Sequence, residues 1–173
     1  MNFRICISLF LVCCLLSPVM AQRDKNKQKE VTVKAMTYNT YSGRKQGIDK
    51  IAEVIKQEDP DIVSLQEIER NTEINPWNTP ERLSVLTGMK YYYFAHALDI
   101  PTGGDYGNVI LSKFPISEEK SFKLSVLKEN DYVRSFGYVK VMKEGKEFYF
   151  ATTHLDHKYE DAARLKQIDE ILA

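Results

Sequence analysis

Cysteine is nearly absent from this chain of 173 residues, which has Cys6, Cys13 and Cys14 and no other cysteine. All three lie within the first 21 residues. The rest of the chain therefore forms no disulfide within itself and offers no thiolate as a nucleophile or a metal ligand. Its stability must come from a packed core.

The chain also lacks an excess of charge of either sign, with 24 Lys and Arg against 24 Asp and Glu. Without the first 21 residues it carries 23 basic and 24 acidic side chains, a formal charge of −1. That balance provides no overall electrostatic attraction for tight binding of nucleic acid. A nuclease with a local basic groove remains compatible with it.

A long apolar run is missing too, since the one near the N-terminus, Ile5–Leu16, is too short for a comfortable membrane span. Arg4 precedes this run, and the small residue Ala21 offers a cleavage site. We predict a signal peptide at 1–21, a flexible polar leader at 22–30 and one domain at 31–173. An uncleaved anchor is the alternative. We expect a secreted or periplasmic monomer without a membrane span after cleavage.

Seven segments after the leader have the apolar and aromatic composition of strands: Val31–Tyr38, Asp61–Leu65, Tyr91–His96, Val109–Ser112, Ile116–Val126, Arg134–Met142 and Lys146–Thr153. Three have helical periodicity: Ile48–Gln57, Pro80–Leu86 and Glu160–Leu172. The first helix joins two strands that we expect to be parallel neighbours. One sheet would leave a large apolar face in water, so we predict an α/β (α+β) fold of two packed sheets with helices outside.

Three β-rich runs end in a polar residue: Val33–Asn39, Ile62–Glu67 and Phe148–His154. Asn39 and Glu67 offer hard oxygen ligands, and His154 offers a proton or a hydrogen bond. This combination suggests metal-assisted cleavage of a phosphate ester. For each residue a structural role is the alternative: an Asn in a turn, a solvated Glu, or a His at a strand end.

Four segments in this order resemble the endonuclease/exonuclease/phosphatase superfamily: Thr37–Thr40, Asp61–Glu67, Gly107–Ile116 and Thr152–Asp156. The resemblance extends from about Val33 to the chain end. It implies a four-layer αββα sandwich of two mixed sheets flanked by helices, and hydrolysis of a phosphodiester or phosphomonoester by in-line attack of water.

The resemblance also implies roles for single residues. Glu67 and Asn39 would bind the metal, which we expect to be Mg²⁺, with Mn²⁺ or Ca²⁺ as alternatives because the ligands are oxygens. His154 would contact the phosphate being cleaved and complete the catalytic set. The substrate is then a phosphate ester: a nucleic acid, a phospholipid head group or a small phosphoester.

Four further residues are candidates for substrate binding: Asn108, Arg134, Asp156 and His157. Arg134 could form a fork on phosphate oxygens, and Asn108 could either reach substrate or stabilise its loop. Asp156 and His157 could line the cleft or lie on the loop surface. Arg164 is expected to pair with an acidic neighbour within one helical turn, and His96 carries no motif.

Two segments typical of the resembling family, Gly-Asp-x-Asn and a terminal Asp-His pair, do not occur in this sequence. In the family they orient the attacking water and stabilise the phosphate. We therefore predict a C-terminally truncated member, with an exposed sheet edge. The alternative function is a non-catalytic binding module or an inactive homologue.

Overall fold

Two β-sheets packed face to face form the centre of the molecule in a computed structural model that describes residues 30–129, 131–158 and 161–173. The predicted signal peptide at 1–21 lies outside the described residues, as does the predicted leader at 22–30 except for Glu30. Val31–Ala173 forms one compact unit. In the described part of the chain, no helix combines the length and apolarity needed to cross a membrane.

The first sheet has four strands: β1 (Ala35–Asn39), β2 (Ile62–Arg70), β3 (Tyr91–Asp99) and β4 (Asp105–Ser112). Their order across the sheet is β1-β2-β4-β3. β1 and β2 are parallel, as predicted, while β4 pairs antiparallel with both β2 and β3. A turn of 3-10 helix, Tyr41–Gly43, and helix α1, Gly47–Glu58, connect the two parallel strands.

Helices α1 and α2 (Thr79–Thr87) cover one face of the first sheet. The buried side chains of α1 are Ile48, Ile51, Ala52 and Ile55, which recur at the helical period. They pack against Val63 and Leu65 of β2 and against Leu83 of α2. This apolar layer holds β1 and β2 rigidly in place, and both strands carry candidate site residues.

The second sheet is antiparallel throughout and has the order β5-β6-β7. Its strands are β5 (Ile116–Leu124), β6 (Arg134–Lys143) and β7 (Lys146–Thr153). Two sheets with flanking helices confirm the predicted sandwich, although only the first sheet is mixed. Helix α3, Asp161–Leu172, is attached through Gln167, which donates to the carbonyl of Ser125 and accepts from the Asp156 N–H.

Apolar and hydroxyl side chains join the two sheets. Ile62 and Ile110 of the first sheet pack against Val139 and Val141 of the second. Nearer the candidate site, the hydroxyls of Ser64 and Thr152 lie 2.6 Å apart in a buried hydrogen bond. Both contacts fix how the strand ends of one sheet face those of the other.

Some predicted element ends were wrong. β1 begins at Ala35 rather than Val31, and β2 continues to Arg70 instead of ending at Leu65. The continuation follows from pairing with β4, which resumes at Ile68 after a register shift at Gln66 and Glu67. β3 and β4 likewise extend beyond the predicted strands at Tyr91–His96 and Val109–Ser112, because they pair with each other as far as Asp99 and Asp105.

Candidate active site

A cleft of about 600 Å³ opens where strand ends of the two sheets meet. Its charged and polar lining combines two carboxylates, two arginines and two histidines: Glu67, Glu69, Arg44, Arg134, His154 and His157. An apolar wall of Leu98, Ile100 and Pro101 stands beside them, together with Tyr41, Tyr106 and Tyr132. The cleft therefore offers both charged groups and an apolar surface to a ligand.

Glu67 lies in a bulge of β2 with φ of +59°, a left-handed conformation that is uncommon for a residue with a Cβ. The hydroxyl of buried Thr40 donates to the carbonyl oxygens of Gln66 and Glu67, at 3.0 Å in each case. These contacts hold the bulge that directs the Glu67 side chain into the cleft. Strained backbone of this kind costs about 1–3 kcal/mol and is often found at functional sites.

Asn39 orients the Glu67 carboxylate. Its Nδ2 donates to Glu67 Oε1 at 2.9 Å, while its Oδ1 accepts from the Tyr41 N–H at 3.0 Å. Both ends of the amide are therefore engaged within the chain. The structure brings Asn39 and Glu67 together as predicted, whereas direct binding of a metal by Asn39 stays a prediction.

Arg134 of β6 connects the two histidines of the loop that follows β7. Its Nη1 donates to His154 Nδ1 at 3.2 Å, and its Nη2 donates to His157 Nδ1 at 3.1 Å. Arg134 is 5% exposed, and its Nε is buried with no hydrogen-bond partner among the described residues. Arg134 therefore places a permanent positive charge at the cleft lining, which favours an anion such as phosphate there.

His154 faces Glu67 across the cleft, with its Nδ1 3.9 Å from Glu67 Oε1. Burial lowers the pKa of His154 below its ordinary value, and the charge of Arg134 lowers it further against the opposing effect of Glu67. Because Nδ1 accepts from Arg134, the proton of the neutral imidazole resides on Nε2. His154 thus presents one N–H donor.

Tyr106 supplies a protonated hydroxyl beside these groups. Burial, with a contribution from the charge of Glu67, raises its pKa to about 12, although Arg134 acts in the opposite direction. The phenol is therefore neutral throughout the physiological range and can serve as a hydrogen-bond donor but not as a base.

An ion pair that was not predicted from the sequence lies next to Glu67 and joins an exposed arginine to a buried carboxylate. Glu69 is 4% exposed, and its Oε1 lies 2.6 Å from Arg44 Nη2. Thr72 donates its hydroxyl to the other oxygen of Glu69 at 3.1 Å. The hydrogen bond with Glu69 raises the pKa of Arg44, so its guanidinium is a permanent cation at the cleft. Glu67 and Glu69 are two positions apart, so their side chains would share one face of a regular strand. This spacing was the feature of the sequence that could have identified Glu69.

Two predicted substrate contacts lie outside the cleft lining. Asn108 is 2% exposed, and its Nδ2 donates to the carbonyl of Ser135, which joins the two sheets. Asp156 is also buried, and its Oδ1 accepts from the Lys158 N–H at 2.7 Å. Their roles in binding substrate stay predictions, while Arg134 and His157 do line the cleft.

The residues present fit a hard divalent cation at Glu67. Its Oε1 is held by Asn39, and carboxylate oxygen is the ligand that Mg²⁺, Mn²⁺ and Ca²⁺ prefer. The nearest nitrogen donor with a measured contact, His154 Nδ1, is instead occupied by Arg134. The ligand offered to a cation at this position is thus the carboxylate oxygen of Glu67.

Comparison with known proteins finds a match with the Endonuclease/Exonuclease/phosphatase family over residues 36–173. A comparison with curated proteins finds no match. Among solved structures, an endonuclease/exonuclease/phosphatase from Beutenbergia cavernae DSM 12333 is 24% identical, with a TM-score of 0.72. The alignment covers 81% of this chain and 43% of that one.

Two other structures have the same fold. A family protein from Leptotrichia buccalis C-1013-b is 18% identical with a TM-score of 0.63, covering 82% of this chain and 61% of that one. D. rerio TDP2 complexed with single strand DNA product is 19% identical with a TM-score of 0.54, covering 81% and 53%. This chain thus spans between 43% and 61% of the lengths of the three structures.

Proposed function

The chain belongs to the endonuclease/exonuclease/phosphatase family, and from this premise we propose that it binds a divalent metal and a phosphate ester for metal-dependent hydrolysis. The observation that carries the proposal is the cleft in which the Glu67 carboxylate, held by Asn39, faces Arg134 and His154. Oxygen ligands on one side and N–H donors on the other match a metal and a phosphate bound next to each other.

Glu67 would hold a Mg²⁺ ion, which when bound supplies a Lewis acid to a phosphate oxygen. Asn39 keeps the carboxylate in place through its 2.9 Å hydrogen bond. The role of Asn39 is therefore to orient the ligand, since its Oδ1 is already bound by the Tyr41 N–H. Mn²⁺ or Ca²⁺ could occupy the same oxygen site.

Arg134 and His154 would bind the phosphate. The neutral His154 donates from Nε2 to a phosphate oxygen, where it stabilises the negative charge of the transition state. Arg134 fixes this tautomer through Nη1 and offers positive charge to the same anion. His157, held by Nη2 of the same guanidinium, extends the donor surface towards the exposed mouth.

Both carboxylates that line the cleft are already engaged, Glu67 with Asn39 and Glu69 with Arg44 and Thr72. Since Glu67 is assigned to the metal and Glu69 is paired with the Arg44 cation, we assign neither as the base that deprotonates a water molecule. We therefore assign metal and phosphate binding to this chain and treat turnover by the chain alone as the outcome to be measured.

The test is a substrate panel, with each compound assayed in Mg²⁺ and in excess chelator. It includes bis(4-nitrophenyl) phosphate, 4-nitrophenyl phosphate, a phospholipid and an oligonucleotide, the last because one structural neighbour is complexed with single strand DNA product. Binding of Mn²⁺ and inorganic phosphate is measured in parallel. Metal-dependent hydrolysis supports the proposal, and failure to bind both metal and phosphate overturns it.

A non-catalytic binding module is the second candidate function. The engagement of both cleft carboxylates favours it, because hydrolysis needs a group that activates water. It predicts that phosphate and metal bind to the chain and that no compound of the panel is turned over. Metal-dependent turnover would exclude this candidate.

We further propose that the protein is exported, secreted or periplasmic, and monomeric. The N-terminal sequence motivates the first part through Arg4, the apolar run Ile5–Leu16 and the small residue at position 21. N-terminal sequencing of the protein from its native host should begin at Gln22. Sedimentation equilibrium of the processed chain should return the mass of one copy; an unprocessed N-terminus or a larger mass contradicts the respective part.

A further inference from the structure

Three side chains of metal-binding type converge at the base of the β3–β4 hairpin, outside the cleft. His96 Nε2 lies 3.0 Å from Asp99 Oδ1 and 3.6 Å from Asp105 Oδ1. One ligand atom from each residue lies within 4.8 Å of the other two. His96 belongs to no sequence motif, because its imidazole approaches Asp105 only when the β3–β4 hairpin forms.

The separations are compatible with a tetrahedral zinc ion, which would replace the hydrogen bond between His96 Nε2 and Asp99 Oδ1. Zinc binds His nitrogen and carboxylate oxygen at about 2.0–2.2 Å, which places its ligand atoms about 3.4 Å apart. The two separations from His96 fall on either side of that value. Three protein ligands would leave a fourth position for water, and the exposed Asp99 leaves the group accessible to an ion from solvent.

The charges around the hairpin provide a second, independent reason to expect a cation. Asp99 and Asp105 are directly opposite partners in the β3–β4 pairing, an arrangement in which like charges destabilise a sheet. Arg70 Nε binds Asp105 Oδ2 at 2.8 Å and so neutralises one of the two charges. The other oxygen of Asp105 faces His96, and the exposed Asp99 carboxylate lies against the same imidazole.

Arg70 also holds Asp105 in a productive orientation. Its guanidinium lies over the Phe94 ring, 4.1 Å from the centroid, and Phe94 packs against the apolar core beneath the helices. Arg70 binds one oxygen of Asp105 and leaves the second oxygen free to bind a metal. Loss of such a hydrogen bond to a metal ligand commonly changes metal affinity by about 10- to 100-fold. Asp105 is therefore positioned by groups outside the three-residue cluster.

We propose that His96, Asp99 and Asp105 form a zinc site distinct from the magnesium position at Glu67. The imidazole ligand makes the distinction, because mixed nitrogen and oxygen ligands favour zinc, whereas Mg²⁺ and Ca²⁺ favour oxygen alone. No part of this inference depends on the proposed hydrolysis.

The site would support the apolar wall of the cleft from behind. Leu98 and Tyr106 line the cleft, and their neighbours Asp99 and Asp105 point to the opposite face, since side chains alternate along a strand. The hairpin tip between these two Asp residues carries Ile100 and Pro101 of the same wall. A zinc ion would therefore tie the two strands together next to the part of the cleft that contacts an apolar group.

The test measures zinc binding by equilibrium dialysis of the metal-free protein, in the Glu67→Gln background so that the cleft position does not contribute. His96→Ala and Asp99→Asn are each expected to weaken zinc binding at least about 100-fold, since they remove ligands rather than outer contacts. Asp169→Asn, on exposed α3, is the matched control and should bind zinc normally. Thermal unfolding of each metal-free variant establishes that it is folded.

Cobalt provides a spectroscopic readout of the same site. Co²⁺ in a tetrahedral site absorbs far more strongly in the visible than octahedral Co²⁺, so the control should show an intense band that His96→Ala lacks. The proposal is overturned if either ligand variant binds zinc as tightly as the control. It is also overturned if Ca²⁺ or Mg²⁺ binds there in preference to zinc, or if the cobalt band is independent of His96.

Discussion

The two sheets contribute opposite chemistry to the cleft. The first sheet provides oxygen atoms through Glu67 and Glu69 of β2, with Asn39 of β1 orienting the first. The second sheet and the loop that follows it provide nitrogen donors through Arg134, His154 and His157. A metal and an anion can be bound next to each other only where both sheets end, so the site is a property of their packing.

The sheets also differ in how firmly they hold their residues. Side chains of β2 and β4 are buried on both faces, since α1 and α2 cover one face and the second sheet covers the other. Along β7, exposed positions alternate with half-buried ones, only Thr152 is buried, and Tyr149 is 60% exposed. We infer that packing holds the proposed metal side of the cleft, while hydrogen bonds from the buried Arg134 position His154 and His157 on the proposed phosphate side.

The largest effect is expected from removing the proposed metal ligand of the first sheet. Glu67→Gln should weaken Mn²⁺ binding, followed by electron paramagnetic resonance, by more than about 100-fold, because a ligand matters more than an outer contact. Any metal-dependent hydrolysis should disappear with it. Glu119→Gln, on the exposed part of β5, is the control; metal binding or activity retained in Glu67→Gln would remove the basis of the assignment.

A second large effect should appear on the phosphate side. Arg134→Ala should weaken binding of inorganic phosphate about 10- to 100-fold, as expected for loss of hydrogen bonds to a charged group. Arg134→Lys should recover only part of this loss, since an ammonium cannot contact both histidines as the fork does. Calorimetry measures the phosphate affinity of both variants, with Lys120→Ala as control. Full recovery of affinity in Arg134→Lys would mean that a positive charge alone is sufficient to bind phosphate.

A smaller effect would distinguish a residue that orients a metal ligand from a residue that is itself a metal ligand. Asn39→Ala removes the hydrogen bond to Glu67 and should weaken Mn²⁺ binding about 10- to 100-fold, less than Glu67→Gln does. The same measurements on the double variant should show little further loss. If Asn39→Ala equalled Glu67→Gln and the two losses added, Asn39 would be a ligand in its own right.

The smallest effect concerns the opposite end of the sandwich, where Asp61 and Lys143 join the sheets at 2.6 Å. Partial burial acts to raise the pKa of Asp61, but hydrogen bonds from Lys143 and the Lys34 N–H outweigh it and hold the pKa below 3.8. The folded pKa is thus below the unfolded one. The contribution to stability is therefore present above pH 3.8 and is lost as the pH falls through the folded value.

Asp61→Asn should accordingly lower the free energy of unfolding at neutral pH by about 1 kcal/mol. Urea unfolding at a series of pH values checks this, with Asp169→Asn as control. The difference between Asp61→Asn and the unsubstituted protein should shrink as the pH is lowered below 3.8. A difference that stays constant with pH would show that the ion pair is not its origin.

Local patterns predicted some elements well. Helix α1 was predicted at Ile48–Gln57 and occurs at Gly47–Glu58, because its apolar residues recur at the helical period and Pro60 lies just beyond its end. The full length of β2 could not be predicted this way. Polar Gln66 and Glu67 break the alternation of a strand, and only pairing with β4 carries the strand on to Arg70.

The candidate site was predicted in part. Glu67, Arg134, His154 and His157 line one cleft, and Asn39 contacts Glu67 from beside it. Sequence reasoning missed the Arg44–Glu69 pair, whose members lie 25 positions apart and belong to no shared motif. Asn108 and Asp156 carry polar groups next to recognisable motifs, yet they use them in buried internal hydrogen bonds.

The sequence by itself determined which chemical groups are available and the order of strands and helices, because both follow from residue identity and local periodicity. Only the tertiary structure decided that Asn39 binds Glu67 with its amide nitrogen and that Arg134 fixes the proton of His154 on Nε2. It also decided that His96 meets Asp105. These contacts join residues that are distant in the sequence, and their geometry depends on how the strands pair and the sheets pack.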